Sequence, residues 1–374
     1  MPALILALAL LHPTSTPATR AAVTPSAPRV GVNTQRPQVE VAFVLDTTGS
    51  MGGLIEGAKR RIWTIARRIG EGRPRPDLRI ALVAYRDLGD NYVTRVYDLT
   101  GDMDAVYERL MSFQAEGGGD TPEHVSRALS DAVHRVSWSQ SRTLKMIFLV
   151  GDAPPHQDYQ DGYDFRRHAR EARQHGIGVE TIQCGGDPQT AMVWREIASL
   201  GDGHYAQIDG QGGMPVRVTP MDAELARLNA ELAATVVSAG TAREQADTAR
   251  RLDARAKMSA PAAVEAAGYF ATAERLAEKD LVGRSSAEQK SELTAMRKDP
   301  SSAPVALKGK TDDQALAYLQ AQGQKRQQIQ DRIQLLQKQR DEHLRQGAGQ
   351  RDAFDEQVFE ALRTRAATKG IEYK

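Results

Sequence analysis

Short apolar segments alternate with helically spaced ones over residues 39–208, and this alternation constrains the fold more than any other feature of the chain. Residues 39–45 are apolar and β-branched, which is typical of a strand that is buried on both faces. Residues 52–69 then carry apolar side chains at helical spacing. Strands that alternate with helices predict an α/β fold with a doubly wound, mostly parallel sheet that is covered by helices on both faces.

The rest of the chain divides into an α/β part and a helical part. Further strands are predicted at residues 78–85, 92–97, 145–150, 177–184 and 204–208. Helices are predicted between them at 104–113, 123–136, 165–175 and 190–200, and a further one begins at Pro220. Beyond these, helices are predicted at 262–279, 287–296, 312–346 and 352–369, with a proline-containing linker at 298–310. We therefore expect an α/β domain over 39–240 and an all-α extension over 241–374.

The long polar helix predicted at 312–346 has a short apolar seam formed by Ile329, Ile333 and Leu336. The seam does not continue over several heptads, as a coiled coil would require. This favours a helical hairpin that packs on itself or on the α/β domain over a long coiled coil.

Composition excludes several classes of protein. Lysine and arginine number 49 and aspartate and glutamate 48, so the net charge draws the chain neither to nucleic acid nor to anionic membranes. The only cysteine is Cys184, which rules out an internal disulfide and a zinc site made of thiolates. We expect Cys184, Trp63 and Trp194 to be core residues.

The N-terminal residues suggest export. Residues 3–11 form an apolar run that is too short to span a bilayer but fits the hydrophobic region of a secretory signal peptide, although no lysine or arginine precedes it. A disordered apolar tail is the alternative. We expect a signal peptide over 1–22, a disordered linker rich in proline, threonine, alanine and serine over 23–38, and a periplasmic or extracellular location.

Oxygen-bearing side chains follow two of the predicted strands. Asp46, Thr48 and Ser50 follow the first strand in the loop DTTGS, whose glycine permits a tight turn, and Asp152 follows the strand at 145–150 at the equivalent position. The carboxyl ends of parallel strands are where such sheets bind ligands. Carboxylates and hydroxyls are the ligands that hard divalent cations prefer. A further glycine-rich loop, GGGDTPE at 117–123, can supply more oxygens.

These residues resemble the metal-ion-dependent adhesion site of von Willebrand factor A domains, and the resemblance covers residues 39–240. It implies that Asp46, Thr48, Ser50 and Asp152 take part in binding Mg²⁺, with Mn²⁺ or Ca²⁺ as alternatives. In the family the hydroxyls bind the metal directly, the aspartates often act through water, and an acidic side chain of a partner protein fills the open position. The threonine of the second loop corresponds to Thr121, but Asp120 stands beside it and stays open as an alternative ligand. The helical remainder is similar to C-terminal extensions of bacterial secreted members.

Two other residues lie close to this constellation in sequence. Asp87 follows the second strand. It is either a residue that lies beside the metal site without binding the ion directly, or a surface turn residue. His156 follows Asp152 in the loop DAPPH and is either a gating or ligand-binding residue or a solvated loop histidine, and the solvated histidine is the favoured interpretation.

The resemblance predicts a protein-binding module that coordinates an Asp or Glu of its partner through the metal, with no catalytic activity and no nucleic acid partner. The first alternative is a metal-dependent hydrolase or phosphotransferase that uses Asp46 as nucleophile. Such enzymes carry a second acid two residues on, where this chain has Thr48, which cannot act as a general acid at neutral pH. The second alternative is a structural scaffold that the metal only stabilises.

Overall fold

The computed structural model describes residues 36–140, 143–208, 218–346 and 353–373. Arg36–Lys374 form one compact unit. The signal peptide expected over 1–22 and nearly all of the linker expected over 23–38 lie outside the described residues. Within the described ranges, no helix combines the length and the apolar character that crossing a membrane requires.

Six strands form one sheet in the order β3-β2-β1-β4-β5-β6. They are β1 (Gln38–Asp46), β2 (Asp77–Tyr85), β3 (Thr94–Thr100), β4 (Leu144–Gly151), β5 (Ile177–Cys184) and β6 (Tyr205–Ile208). All neighbouring strands pair in parallel except β2 and β3, which are antiparallel. The connection at residues 86–93 explains the exception, because a parallel pair needs a crossover of about a dozen residues or more. The expected mostly parallel α/β fold is confirmed.

Helices cover both faces of the sheet. They are α1 (Gly52–Gly70), α2 (Met103–Met111), α3 (Val125–His134), α4 (Phe165–Gln174) and α5 (Pro188–Leu200). Alternate side chains of β1 enter two separate cores: Phe43 packs in the core that contains α1 and α2, and Val44 in the core that contains α3, α4 and α5. Trp63 and Trp194 are fully buried, one in each core, and Cys184 is buried as well. The three expected core residues are confirmed.

Beyond β6, the described residues form helices and connecting turns with no further strand. The helices are α6 (Asp222–Ala233), α7 (Ala242–Ala256), α8 (Ala260–Phe270), α9 (Ser286–Lys298), α10 (Asp312–Gln346) and α11 (Ala353–Ala367). Helix α8 packs on α1, and α10 packs on α6, α8 and α9. Ile329, Ile333 and Leu336 are buried in the same core as Phe43 and helix α1, so the apolar seam of α10 faces the α/β domain.

One helix of this region ends earlier than periodicity predicts. Helix α8 ends at Phe270 instead of continuing to residue 279, whereas α6 ends at Ala233, before Gly240 as expected. The cause is the buried carboxylate of Asp280, which accepts hydrogen bonds from the backbone N–H groups of Val237, Leu276 and Val282. Because these tertiary hydrogen bonds hold the segment after α8 in turns, they override the local helix propensity there.

Candidate metal site

The candidate site lies at the carboxyl edge of the sheet, where β1 and β4 end side by side. Leu45 on β1 pairs in parallel register with Val150 on β4, so Asp46 and Asp152 both lie at the ends of neighbouring central strands. Asp46 is fully buried, and Asp152 is half-buried. The parallel sheet thus places these two carboxylates together, as the sequence predicts.

The loop after β1 is organised around the carboxylate of Asp46. Its Oδ1 accepts hydrogen bonds from the backbone N–H of Thr48 at 2.9 Å and from Thr48 Oγ1 at 2.6 Å. Thr48 Oγ1 lies 3.2 Å from Ser50 Oγ, and the Ser50 hydroxyl lies near Asp152, where it opposes the rise in the pKa of that carboxyl. The structure therefore brings four of the predicted ligands, Asp46, Thr48, Ser50 and Asp152, into one connected group.

Glycines let the backbone of two other segments approach this group. A Cβ on Gly151 would lie 2.3 Å from Tyr85 Oη and 3.1 Å from Asp46 Oδ2, so only glycine fits there. Gly117 has a φ of 77°, and a Cβ there would overlap the carboxylate of Asp90. Its carbonyl accepts the backbone N–H of Gly49 at 3.0 Å. These contacts fix the glycine-rich loop against the loop after β1.

The glycine-rich loop contributes a residue that the sequence did not single out. Glu123 was expected to open a helix, but α3 begins at Val125, and Glu123 forms a bridge with Pro155 instead. Its side chain is buried, and Oε1 lies 3.1 Å from where a Cβ on Gly118 would stand, beside the side chain of Thr48. Glu123 is the last residue of the motif GGGDTPE, but the resemblance to the adhesion site implies a ligand role for the threonine of that motif.

Thr121 and Asp120, the two alternatives for the second loop, are both exposed. Thr121 makes no side-chain hydrogen bond with the parts of the chain that the structure describes. Asp120 instead lies near His156, with 3.6 Å between Oδ2 and Nε2. Neither side chain joins the connected group around Asp46, so a ligand role for Thr121 or Asp120 stays a prediction.

Asp87 and His156 form a second layer beside the group. His156 Nε2 lies 3.5 Å from Asp87 Oδ2, and the His156 ring stacks on Tyr159 with 4.0 Å between centroids. Tyr159 Oη donates to Asp87 Oδ2 at 2.6 Å. The interpretation of His156 as a solvated loop histidine was wrong, because its side chain is only 7% exposed. The surface-turn alternative for Asp87 was wrong for the same reason, since Asp87 is buried.

The carboxylates of the site repel one another in a buried setting. Burial raises the pKa of Asp46 to about 7, against the hydrogen bonds from Thr48 and with a further contribution from the charge of Asp152. Burial raises the pKa of Glu123 to about 9, and the neighbouring aspartates add to the rise. Burial also raises the pKa of Asp152. The protein thus concentrates acidic groups at a place where their ionised forms are poorly solvated.

The donor set fits a hard divalent cation. Asp46 Oδ2, Glu123 Oε2 and Asp152 Oδ1 are buried oxygens without a hydrogen-bond partner among the described residues. Buried carboxylate oxygens normally have partners, and those that lack one need an explanation. Carboxylate and hydroxyl oxygens are the ligands that Mg²⁺, Mn²⁺ and Ca²⁺ accept.

Comparison with known proteins identifies the domain. Residues 40–175 match the family model described as von Willebrand factor A domain. These residues are a von Willebrand factor A domain. The rat von Willebrand factor A domain-containing protein 7 is 38% identical over 122 residues, which is 32% of this chain and 12% of that protein. Mouse hemicentin-2 is 31% identical over 199 residues, 52% of this chain and 4% of that protein. The chain thus covers only a small part of the curated relatives that it matches.

Among solved structures, the von Willebrand factor A domain of SpRpn10 is similar with a TM-score of 0.36 and 15% identity, covering 47% of this chain and 89% of that one.

Proposed function

We propose that this chain is a divalent-metal-dependent protein-binding module of the adhesion-site type. The observation that carries the proposal is the set of buried, unpaired carboxylate oxygens on Asp46, Glu123 and Asp152 at one edge of the sheet. The match to the von Willebrand factor A domain supports the interaction-module part of the proposal. The metal dependence, the partner and the activity of the whole protein are proposals.

Asp46, Thr48, Ser50 and Asp152 would hold the cation, Mg²⁺ in the first instance, with Mn²⁺ and Ca²⁺ as alternatives. Glu123 is added to this set, and Thr121 is retained with Asp120 as its alternative. The bound cation would supply an electrophile for an acidic side chain of the partner. The hydrogen bonds from Thr48 orient Asp46 so that Oδ2 is left for the ligand, while Oδ1 is already engaged within the loop.

The surroundings of the site suit the docking of a partner. Ser50, Asp120 and Thr121 are exposed, so the outer side of the group is open to solvent, whereas Asp46 and Glu123 close its inner side. A partner carboxylate can therefore approach from outside without rearrangement of the sheet. The helical region behind the domain would act as a platform, and the apolar N-terminal run supports export of the protein.

Calorimetric titration with Mg²⁺ tests the metal site. We expect the full chain to bind one Mg²⁺ and Asp46→Ala to bind none. The matched control is Asp253→Ala, which removes an exposed aspartate on α7 and leaves Mg²⁺ binding unchanged. Equal Mg²⁺ binding by the wild-type chain and Asp46→Ala would contradict the proposed site.

Pull-down from an extract of the source organism tests the partner. Proteins retained with Mg²⁺ should be lost both on addition of chelator and in the Asp46→Ala variant. A purely structural metal predicts a different outcome, namely a large fall in melting temperature on chelation with unchanged partner binding. Metal-dependent phosphatase turnover that Asp46→Asn abolishes would establish catalysis instead.

A further inference from the structure

Three side chains at the far end of α3 converge on one point. Glu171 Oε2 lies 2.9 Å from His134 Nε2 and 2.8 Å from His168 Nδ1. One ligand atom from each of these residues lies within 4.8 Å of the others. The two imidazole rings are nearly perpendicular, with centroids 5.8 Å apart. Two nitrogens and a carboxylate oxygen are thus gathered from two different helices.

The sequence explains the convergence. His168 and Glu171 are spaced at i and i+3 within α4, so they lie on one face of that helix, and His175 is the residue that follows its last turn. His134 is the last residue of α3, which packs on α4. The ring of His175 lies 6.0 Å from that of His134 between centroids. A further imidazole therefore lies beside His134, outside the group of three.

Burial prepares this cluster for a ligand. The side chain of His168 is 3% exposed, whereas that of His134 is 42% exposed. The inner ligand is therefore anchored in the protein while the outer one faces solvent, which leaves an entry path for an ion.

We propose that His134, His168 and Glu171 form a second metal site of the kind that takes Zn²⁺, with a water or His175 in the fourth position. Imidazole nitrogens with a carboxylate are typical zinc ligands, and structural and catalytic zinc sites are mostly four-coordinate. A hard cation such as Mg²⁺ prefers oxygen ligands, so this site would not compete for the cation proposed at Asp46.

Arg167 sets the state of the cluster without metal. Its Nη2 lies 3.1 Å from His168 Nε2 and donates to it, so the His168 proton sits on Nδ1 and points to Glu171. For Nδ1 to bind a metal, this proton must move to Nε2, and Arg167 must turn away. Arg167 is 54% exposed, and turning away would also break its contacts with Glu171 and with the carbonyl of Gly162. Arg167 therefore opposes metal binding, and its removal should tighten it.

The new site is separate from the candidate site at the sheet edge. Helix α3 begins two residues after Glu123, and its ten residues place His134 about 15 Å away along the helix axis. The cluster of Asp87, Asp120 and His156 lies at the other end of α3, beside Glu123. Metal binding at the two ends of α3 can thus be measured independently.

Calorimetric titration of the full chain with Zn²⁺ tests the proposal, in an Asp46→Ala/His156→Ala background that disables the sheet-edge groups. We expect one Zn²⁺ to bind with micromolar or tighter affinity. His134→Ala and Glu171→Gln should each weaken binding by more than about 100-fold, because loss of a ligand exceeds the roughly 10- to 100-fold cost of losing a residue behind a ligand. Arg167→Ala should tighten binding. Co²⁺ in place of Zn²⁺ should give the visible absorption of a four-coordinate site.

His204→Ala is the matched control, because His204 also pairs with a glutamate, Glu180 at 3.1 Å, but belongs to no metal-ligand cluster among the described residues. It should leave Zn²⁺ binding unchanged. Thermal melts without zinc establish that His134→Ala, whose side chain is partly exposed, is folded. Absence of Zn²⁺ binding in the Asp46→Ala/His156→Ala background would overturn the proposal. Equal Zn²⁺ binding with and without the additional His134→Ala substitution would also overturn it. Neither result bears on Mg²⁺ binding at Asp46.

Discussion

The sheet edge and the helical region both bury carboxylates, but they treat the charge in opposite ways. In the helical region, Asp280 is fully buried, and Arg326 Nη1 donates to it at 2.6 Å. The other two guanidinium nitrogens of Arg326, Nε and Nη2, donate to the side chain and the carbonyl of Thr235. At the sheet edge, Asp46 and Glu123 are equally buried, yet no ion pair with either occurs within the described residues.

The difference separates a structural use of buried charge from a functional one. A buried ion needs a partner of opposite charge or must give up its charge by a shift in pKa. Arg326 is the positively charged partner of Asp280, so the buried charge of the helical region is balanced within the chain. At the sheet edge, Asp46, Glu123 and Asp152 have no cationic partner among the described residues, so their ionised forms are balanced only when a cation comes from outside. The contrast supports a ligand site at the sheet edge better than any single residue there does.

The largest expected effect is a loss of stability in the helical region, where Arg326 balances the buried charge of Asp280. Arg326→Ala leaves Asp280 buried without its partner, and we expect it to lower the free energy of unfolding by about 3–5 kcal/mol. Urea denaturation followed by circular dichroism measures this. The control is Arg332→Ala, which breaks a half-exposed pair with Glu224 and should cost less than about 1 kcal/mol. Equal effects of the two substitutions would mean that burial does not distinguish the pairs.

At the sheet edge, we expect the stability of the metal-free protein to depend on pH, because ionising the buried carboxylates there is unfavourable. The pKa values of Asp46 and Glu123 are raised in the folded protein, to about 7 and about 9. Raised values stabilise the metal-free protein at low pH, fully below about pH 4, and this contribution is lost as pH rises through 7 toward 9. We therefore expect the free energy of unfolding of the metal-free protein to fall across this range, since a shift in pKa between the unfolded and folded states makes stability depend on pH.

Mg²⁺ should reverse this trend, because a cation binds the ionised carboxylates. Thermal melts between pH 5 and pH 9, roughly the range over which these groups titrate, with chelator or with excess Mg²⁺, make the measurement. We expect the gain in melting temperature from Mg²⁺ to increase with pH. Asp46→Asn should weaken both the pH dependence and the Mg²⁺ effect. A gain that is constant across this range would mean that these carboxylates do not bind the metal.

The same two regions also differ in how much of their structure the sequence predicts. Alternating apolar segments predicted the sheet and its helices, because both follow from local periodicity. The early end of α8 could not be predicted, since it depends on Asp280, whose carboxylate also binds Val237, a residue far away in sequence that it reaches only through the fold. Tertiary hydrogen bonds of this kind leave no periodic signal.

At the candidate site, sequence proximity predicted the geometry near Asp46 well and that of the second loop poorly. Thr48 and Ser50 belong to the same short loop as Asp46, so their convergence follows from local structure. Glu123 and His156 are placed by long-range packing of the glycine-rich loop on the loop after β4, where the N–H of His156 donates to the carbonyl of Glu123 at 3.1 Å. Burial could not be read from either residue type, because both are usually exposed or intermediate.

The smallest effect concerns Glu123, the acid that only the structure singled out. With its pKa at about 9, Glu123 is protonated at neutral pH in the metal-free protein and should release its proton when a cation binds nearby. Calorimetry in buffers of different ionisation enthalpy counts the protons released. Glu123→Gln should release about one proton fewer and weaken Mg²⁺ binding about tenfold, or about 1.4 kcal/mol. Glu116→Gln is the control, because Glu116 lies on the same loop but is half-exposed and near Arg86, so both quantities should stay at their wild-type values. If Glu123→Gln also left both unchanged, the buried charge at this edge would belong to Asp46 and Asp152 alone.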